Sequence, residues 1–220
     1  MPLRETTNPL PSDIATYRPA DTLMRITDLI LALGLFAVTA IPMLVIAILI
    51  RVEDRGPILF RQPRVGRNRA RFSIAKFRTM THDTSRFIGG TGGENISAED
   101  RAQFQTTVPG DTRITRIGRV LRPLHLDELP QVLNVLKGDM SLVGVRPDVP
   151  VMQADYTQEE WILRHMLRPG ITGLAQIDPS VDSMAARTAQ DLEWVQNRSY
   201  GMYLRILLGT VKKVVKRNSL

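Results

Sequence analysis

The chain has 220 residues, enough for one domain with a sizeable core or for one domain plus a membrane anchor. It has no cysteine, which excludes disulfides and thiolate metal sites, and none of its three histidines pair at the i, i+4 spacing of a helical zinc site. Lysines and arginines number 29 against 22 aspartates and glutamates, and the resulting formal net charge of +7 indicates an anionic partner: nucleic acid, a phosphate-rich substrate or an acidic membrane surface.

A long apolar run follows an N-terminal stretch that predicts little structure. Residues 1–20 contain four prolines and few large apolar side chains, so we predict a disordered lead-in over residues 1–21. From Leu29 to Ile50 the chain carries 22 residues without a charge. At about 1.5 Å per residue, a helix of that length reaches across a hydrocarbon core of about 30 Å. We therefore predict a membrane helix over residues 22–51.

Two features predict that this helix is re-entrant, so that it enters and leaves the membrane by the cytoplasmic face. Pro42 lies past the middle of the run, has no N–H to donate and crowds the carbonyl of Val38, so a bend is expected there. Basic residues flank both ends, and the tendency of cations to stay on the cytoplasmic side acts on both. The alternative is a spanning helix that tolerates the proline. Arg25 and Asp28, spaced i, i+3, are placed to form an ion pair beside the apolar run.

The next segment predicts a β-hairpin. Its two β-like runs are Ile58–Arg61 and Arg71–Phe77, and a basic turn that contains Gly66 and Asn68 joins them. Residues 83–110 are rich in Gly, Thr and Ser and include the sequence GGTGG. We interpret them as a mobile loop and not as a phosphate-binding loop, because no strand-to-helix context and no following lysine accompany them.

Four arginines stand three residues apart in the sequence TRITRIGRVLR, a spacing that places them along one face of a predicted helix. They are Arg113, Arg116, Arg119 and Arg122. A solvent-exposed basic face is the ordinary interpretation of such a stripe, but this stripe leads directly into an acidic pair.

The C-terminal sequence YGMYLRILLGTVKKVVKR alternates apolar and cationic side chains at helical spacing. The pattern predicts a helix that lies in an anionic membrane interface. Packing of its apolar face on the protein's own core is the alternative.

The acidic pair Asp127–Glu128 stands at the start of a predicted helix that ends at Gly138. Pro130 falls in the first turn, where a missing N–H costs little, and the positive end of the helix dipole favours ionised carboxylates. The predicted buried face comprises Leu129, Val132, Leu133 and Leu136. An ionised carboxylate near arginines can attack phosphorus to form an acyl phosphate, and a pyrophosphate substrate needs further neutralisation, usually by Mg²⁺. The alternative is an acidic helix start that serves stability alone.

Several longer stretches carry a family resemblance. The sequences KFRTM, DTRITRIGRVLR, LDELPQVLNVLKGDMSLVGVRP and RPGITGLAQI occur in this order within Thr22–Arg217. In these four stretches the chain resembles the bacterial sugar transferases, which are monotopic phosphoglycosyl transferases. We therefore predict a mainly α fold with a small β-hairpin: a re-entrant membrane helix, then a cytoplasmic catalytic domain over residues 52–217 with interfacial amphipathic helices.

The resemblance implies a reaction at the cytoplasmic face of the bacterial inner membrane. Such enzymes transfer a sugar-1-phosphate from a nucleotide diphosphate sugar, usually a UDP-sugar, to undecaprenyl phosphate. This is the first membrane step of exopolysaccharide, capsule, O-antigen or glycoprotein glycan synthesis. The implied partners are the nucleotide sugar, undecaprenyl phosphate and membrane lipids, and a homo-oligomer is compatible with the sequence. An aromatic content of 5% and the lack of a recognised motif argue against nucleic acid, which leaves a non-catalytic basic membrane-binding module as the alternative.

The resemblance also implies site residues and a cofactor. Asp127 matches the nucleophile that forms a covalent phosphosugar intermediate, and Glu128 matches the carboxylate that is associated with Mg²⁺. Arg146 would contact the substrate phosphates. Four further cations would complete the anion-binding pocket: Lys76, Arg78, Arg119 and Arg122.

Three positions depart from the family's pattern. Val145 stands before Arg146 where proline is common, and Ile41 stands before Pro42 where serine is frequent. His125 precedes the acidic pair where serine or threonine is commoner. We expect these residues to affect, in turn, the geometry around the phosphate-binding arginine, the bend of the membrane helix and the substrate preference.

Overall fold

The computed structural model describes residues 18–81 and 111–217, and over these residues the chain is mainly helical with small sheets, as predicted. The α-helices are α1 Pro19–Glu53, α2 Arg116–Leu121, α3 Gln131–Lys137, α4 Gln158–Arg164, α5 Leu174–Ile177, α6 Met184–Asn197 and α7 Tyr200–Arg217. The strands are β1 Leu59–Val65, β2 Arg71–Phe77, β3 Ser141–Val143 and β4 Gly170–Thr172. Short 3₁₀ turns occupy Arg67–Arg69, Leu126–Glu128 and Pro150–Asp155. The predicted lead-in up to residue 17 and the predicted loop over residues 83–110 lie outside the described residues.

The predicted β-hairpin is confirmed. β1 and β2 pair antiparallel along their whole length, and Asn68 takes a left-handed conformation (φ 54°) in the turn between them. β1 continues beyond Arg61 and through Pro63. A two-stranded sheet tolerates this proline, because one edge of each strand has no partner to which an N–H would donate. Arg64 on β1 and Lys76 on β2 therefore belong to one hairpin.

A second, parallel sheet, which no sequence pattern indicated, joins β3 and β4. Val143 lies opposite Thr172 in this sheet. The two backbones approach so closely that a Cβ atom on Gly170 would lie 2.0 Å from the backbone N of Gly144. Only glycine fits at such an approach. The sheet holds in place the segment that follows β3 and carries Arg146.

α1 packs against the rest of the protein near both of its ends. Three hydrophobic clusters form the described core, and α1 contributes Met24 to the first, Ala32 to the second, and Ile46 with Ile50 to the third. The other buried members come from the hairpin, β3 and helices α2, α3, α6 and α7, or from the residues beside them. Between these contacts the helix is exposed, and Val38 is 77% exposed. α1 is also long and apolar enough to cross a membrane.

The predicted pair Arg25–Asp28 is confirmed, with 3.9 Å between the guanidinium and the carboxylate. Asp28 is buried and accepts hydrogen bonds from the Leu142 N–H at 2.9 Å and the Tyr203 O–H at 2.8 Å. Arg25 donates to the Val135 carbonyl at 2.9 Å, in the last turn of α3, where the helix dipole favours a cation. These bonds fasten the first half of α1 to β3, α7 and α3.

The prediction that four arginines share one helix face is wrong. α2 begins only at Arg116, because the side chain of Thr115 accepts the Gly118 N–H at 2.9 Å and caps the helix there. Arg113 lies before this cap, and its guanidinium binds the carboxylate of Asp111.

Core packing, one of the two interpretations of the C-terminal pattern, is confirmed for the first half of α7. Tyr203 and Ile206 in its first half are completely buried in the core. Leu208, Val211 and Val215 are each about 60% exposed, in the part of the helix that also carries the lysines. Core packing therefore accounts for the first half, and the second half keeps the amphipathic face that predicts a membrane interface.

Candidate active site

The acidic pair lies immediately before a helix and not in its first turn. Asp127 and Glu128 belong to a 3₁₀ turn, which His125 precedes in a left-handed conformation (φ 55°), and α3 begins only at Gln131. The predicted end of the helix is confirmed, because Gly138 closes α3 with φ 93°. Of the predicted buried face, Val132 is buried and Leu129, Leu133 and Leu136 are partly buried.

Asn134 fixes the hairpin against α3 and so sets Lys76 beside Glu128. The Asn134 side chain is buried, its Oδ1 accepts the Ala75 N–H at 3.0 Å, and its Nδ2 donates to the Ser73 carbonyl at 2.9 Å. With β2 held in this way, Lys76 Nζ lies 2.5 Å from Glu128 Oε1. The structure thus brings the predicted lysine together with the acidic pair.

The two carboxyl groups have different electrostatic surroundings. Burial is the largest influence on Asp127 and raises its pKa; Lys76 opposes the rise, and the charge of Glu128 adds to it. Burial acts in the same direction on Glu128, but Lys76 and Arg146 outweigh it and lower the pKa of Glu128 below its usual value. The surroundings therefore favour the protonated form of Asp127 and the ionised form of Glu128.

Two arginines complete a cationic cleft beside the pair. The polar residues that line it are Arg64, Lys76, Glu128, Gln131 and Arg146. Arg146 was predicted, whereas Arg64 and Gln131 were not. Arg64 donates to the Pro147 carbonyl at 2.9 Å, and burial together with the charge of Arg146 lowers the Arg64 pKa to about 10, so Arg64 stays cationic at neutral pH.

The chain segment that carries Arg146 is anchored by a buried ion cluster. Asp148, two residues further on, lies 3.0 Å from Arg164, and Arg164 lies 2.6 Å from Asp191. All three side chains of this ion cluster are buried. The Arg164 guanidinium also lies 4.5 Å from the centre of the Tyr156 ring, within cation–π distance. No sequence pattern indicated this cluster, because its members are far apart in the chain.

The other three predicted cations occupy different environments. Arg78 is buried and donates to Asp54 Oδ2 at 2.9 Å and to the Asp54 carbonyl, so it joins the hairpin to the end of α1 and does not line the cleft. In this structure Arg78 serves the framework of the site, and its contact with substrate phosphates stays a prediction. Arg122 donates to Thr79 Oγ1 at 2.8 Å, and its charge acts on the pKa of Asp127. Arg119 is exposed on α2 and does not line the cleft either.

The residues present fit a magnesium ion that binds together with phosphates. Within residues 18–81 and 111–217, no three His, Asp or Glu side chains form a group that could hold a metal. Mg²⁺ needs only one or two carboxylates when substrate phosphates and waters supply its other ligands. Glu128 meets that requirement, because Lys76 binds its Oε1 and leaves its Oε2 without a hydrogen bond in the part of the chain that the structure describes.

Comparison with known proteins identifies the class. The bacterial sugar transferase family matches residues 19–217, which include every helix and strand described above. The chain therefore belongs to the bacterial sugar transferase family.

Individual relatives agree with this class. The chain is 38% identical over 203 residues to the UDP-glucose:undecaprenyl-phosphate glucose-1-phosphate transferase of Caulobacter vibrioides, over 89% of this chain and 70% of that protein. It is 39% identical over 206 residues to the exopolysaccharide production protein PSS of Rhizobium leguminosarum bv. phaseoli, over 89% of this chain and 96% of that protein. It is 37% identical over 207 residues to the undecaprenyl-phosphate glucose phosphotransferase of Komagataeibacter xylinus. That match covers 89% of this chain but only 36% of the longer relative.

Proposed function

We propose that this protein is a phosphoglycosyl transferase that moves a sugar-1-phosphate from a UDP-sugar to undecaprenyl phosphate. The observation that carries the proposal is Glu128 at one cleft with Lys76, Arg64 and Arg146, with Asp127 directly before it in the same 3₁₀ turn, in a chain of the sugar transferase family. The names of two relatives support undecaprenyl phosphate as the acceptor, and one of them supports a UDP-sugar donor. The name of the Rhizobium relative supports a role in making exopolysaccharide.

In the first half-reaction Asp127 is the nucleophile. Arg64, Lys76 and Arg146 hold the oxygens of the donor's pyrophosphate through charge-assisted hydrogen bonds. An Asp127 carboxylate oxygen forms a bond to the β-phosphorus, while the bond from that phosphorus to the oxygen that bridges to the α-phosphorus breaks. The electron pair of the broken bond leaves with UMP. The enzyme then carries the sugar phosphate as an acyl phosphate.

In the second half-reaction the lipid replaces the enzyme. A phosphate oxygen of undecaprenyl phosphate attacks the same phosphorus, and Asp127 leaves as a free carboxylate. Glu128 has a lower pKa than usual and stays ionised beside Lys76. Its Oε2, which accepts no hydrogen bond from any described residue, would hold Mg²⁺ together with the donor phosphates. When bound, the ion neutralises part of the phosphate charge.

The protein acts as a monotopic protein at the cytoplasmic face of the bacterial inner membrane, with α1 re-entrant. The packing of α1 supports this topology. Asp28 before the apolar run and Ile46 and Ile50 at its end all contact one and the same domain. A domain on one side of a bilayer cannot contact both ends of a straight spanning helix. The exposed side chains between those contacts, Val38 among them, would enter the hydrocarbon.

Single cysteines test the topology, because the chain has none of its own. Thr22 in α1 and Gln153 in the catalytic domain are both exposed. Cysteines at these positions should resist a membrane-impermeant maleimide in intact cells and react after permeabilisation. Labelling at position 22 alone in intact cells would mean that α1 spans the membrane.

Intact-mass spectrometry tests the chemistry. The purified protein is incubated with Mg²⁺ and a panel of UDP-sugars that starts with UDP-glucose, without lipid acceptor. We expect a mass increase of one sugar phosphate on a peptide that contains Asp127, and continuous UMP release once undecaprenyl phosphate is added. Asp127→Asn should abolish both and leave membrane attachment intact, while the exposed control Asp182→Asn should keep both.

Two results of this assay would contradict the proposal. Normal turnover by Asp127→Asn would exclude Asp127 as the nucleophile. If the wild-type protein released no UMP from any sugar of the panel, the non-catalytic basic membrane module would be the better interpretation.

A further inference from the structure

Thr79 is a buried polar residue that the proposed mechanism does not use. It lies two residues after the end of β2, and only 6% of its surface is exposed. Its Oγ1 accepts a hydrogen bond from Arg122 Nε at 2.8 Å. A hydrogen bond from a guanidinium is charge-assisted, and because the guanidinium is planar and rigid the bond restrains its orientation as well as its distance. The Thr79 hydroxyl therefore restrains the place of the Arg122 charge.

The backbone of Thr79 packs so closely against α2 that the helix needs a glycine at the contact. A Cβ atom on Gly118 would lie 2.3 Å from the carbonyl oxygen of Thr79. The same carbonyl accepts the N–H of Thr115, the residue that caps α2, at 3.1 Å. Glu53, the last residue of α1, accepts the Arg116 N–H at 2.6 Å. α2 is therefore held both at its start and along the face that meets Thr79.

The other end of α2 leads directly into the turn that carries the acidic pair. The Arg122 carbonyl accepts the His125 N–H at 3.1 Å, and the His125 carbonyl accepts the Glu128 N–H at 3.2 Å. Burial raises the pKa of Asp127, and the charge of Arg122 is one of the influences that oppose this rise, so the guanidinium lies near that carboxylate. Arg122 thus connects Thr79 with the acidic pair.

A guanidinium held in one place near Asp127 can stabilise the transition state of phosphoryl transfer. During the attack, negative charge spreads over the oxygens of the transferring phosphoryl group. A cation that is already in place stabilises this charge without reorganisation, whereas a cation that must first change position stabilises it less. We propose that Thr79 is a positioning residue, which holds the Arg122 guanidinium beside the acidic pair for transfer of the sugar phosphate. The proposal rests on the proposed function, in which Asp127 is the nucleophile.

Steady-state UMP release tests the proposal on the full chain in lipid nanodiscs that contain undecaprenyl phosphate, with Mg²⁺ and the UDP-sugar that the wild type uses. Thr79→Val replaces the hydroxyl by a methyl group of similar size. It should lower kcat about tenfold and change the KM for the UDP-sugar by less than about twofold, because the contact acts in the transition state. Thr79→Ser keeps the hydroxyl and should restore kcat to within about twofold of the wild type. Thr112→Val, at an exposed threonine, is the matched control and should keep the wild-type kinetics.

A double-mutant cycle separates positioning from loss of packing. Arg122→Met should lower kcat at least as much as Thr79→Val does. Adding Thr79→Val to Arg122→Met should cause no further loss, since the hydroxyl acts through the guanidinium. Losses that multiply in the double variant would overturn the proposal, as would a Thr79→Ser variant that stays as slow as Thr79→Val.

A further variant keeps the test decisive if Thr79→Val does not fold. Arg122→Lys keeps the positive charge but lacks the Nε–H that Thr79 accepts, so it should also lose about tenfold in kcat. A wild-type kcat in Arg122→Lys would overturn the proposal, because charge without this hydrogen bond would then be sufficient. A wild type that releases UMP while the losses multiply would contradict the positioning role and leave the transferase intact. A wild type that releases no UMP from any UDP-sugar would contradict both.

Discussion

Replacing Arg164 by methionine tests how strongly the buried ion cluster stabilises the site. Removal of one partner from a buried ion pair costs roughly 3–5 kcal/mol. Here one guanidinium serves both Asp148 and Asp191, so its loss leaves two buried carboxylates without their cation. We expect the free energy of unfolding to fall by about 4–5 kcal/mol, near the upper end of that range. For a protein of this size, about 2–4 °C of Tm per kcal/mol predicts a Tm lower by about 8–20 °C.

Thermal unfolding in detergent, followed by tryptophan fluorescence, measures this effect as a function of pH. Burial already raises the pKa of Asp191, with Arg164 as the main opposing charge. Without Arg164 the folded carboxyl keeps its proton to a still higher pH, whereas the unfolded one titrates near 3.9. The loss of stability in Arg164→Met therefore grows as the pH rises above about 4 and becomes smaller as the pH falls towards about 4.

A matched control and a second substitution make this prediction specific. Arg205 is exposed on α7, and Arg205→Met should change stability by no more than about 0.5 kcal/mol. Adding Asp191→Asn to Arg164→Met should recover part of the lost stability, since it removes one buried charge. A Tm loss no larger than that of the control, or a Tm difference that stays constant between pH 4.5 and pH 8, would refute the reasoning.

Three further predictions concern the site and its helix. The acidic limb of the pH profile of kcat/KM should follow the ionisation of Asp127. Glu128→Gln should therefore move this limb to lower pH, and Lys76→Met should move it to higher pH, because Glu128 raises and Lys76 lowers the pKa of Asp127. Shifts of both variants in the same direction would contradict the assigned nucleophile. Arg146→Ala removes charge-assisted contacts of roughly 1.5–3 kcal/mol and should lower kcat/KM about ten- to a hundredfold at unchanged membrane attachment; near-normal kinetics would place the phosphate site elsewhere. Gly138→Ala forces alanine into φ 93° and should destabilise the protein by about 1–2 kcal/mol, which denaturant unfolding can detect.

Sequence analysis predicted the local features of the fold well. The hairpin, the end of α3 at Gly138 and the pair Arg25–Asp28 all depend on turn chemistry or spacing among residues close together in the chain. The starts of two elements were predicted too early. Thr115 caps α2 after the first arginine of the stripe, and His125 adopts a left-handed conformation that is uncommon outside glycine and has no reliable sequence pattern.

The motifs specify which chemical groups are available to the site, and the packing of distant segments determines which of those groups meet there. The acidic pair, Lys76 and Arg146 could be named from their motifs. In the folded protein the hairpin also places Arg64 in the cleft, whereas Arg78 binds Asp54 at the end of α1. The buried charges of the ion cluster appear in the sequence as ordinary polar residues. Their burial depends on contacts between segments distant in the chain, such as the β3–β4 pairing, and no local pattern encodes those contacts.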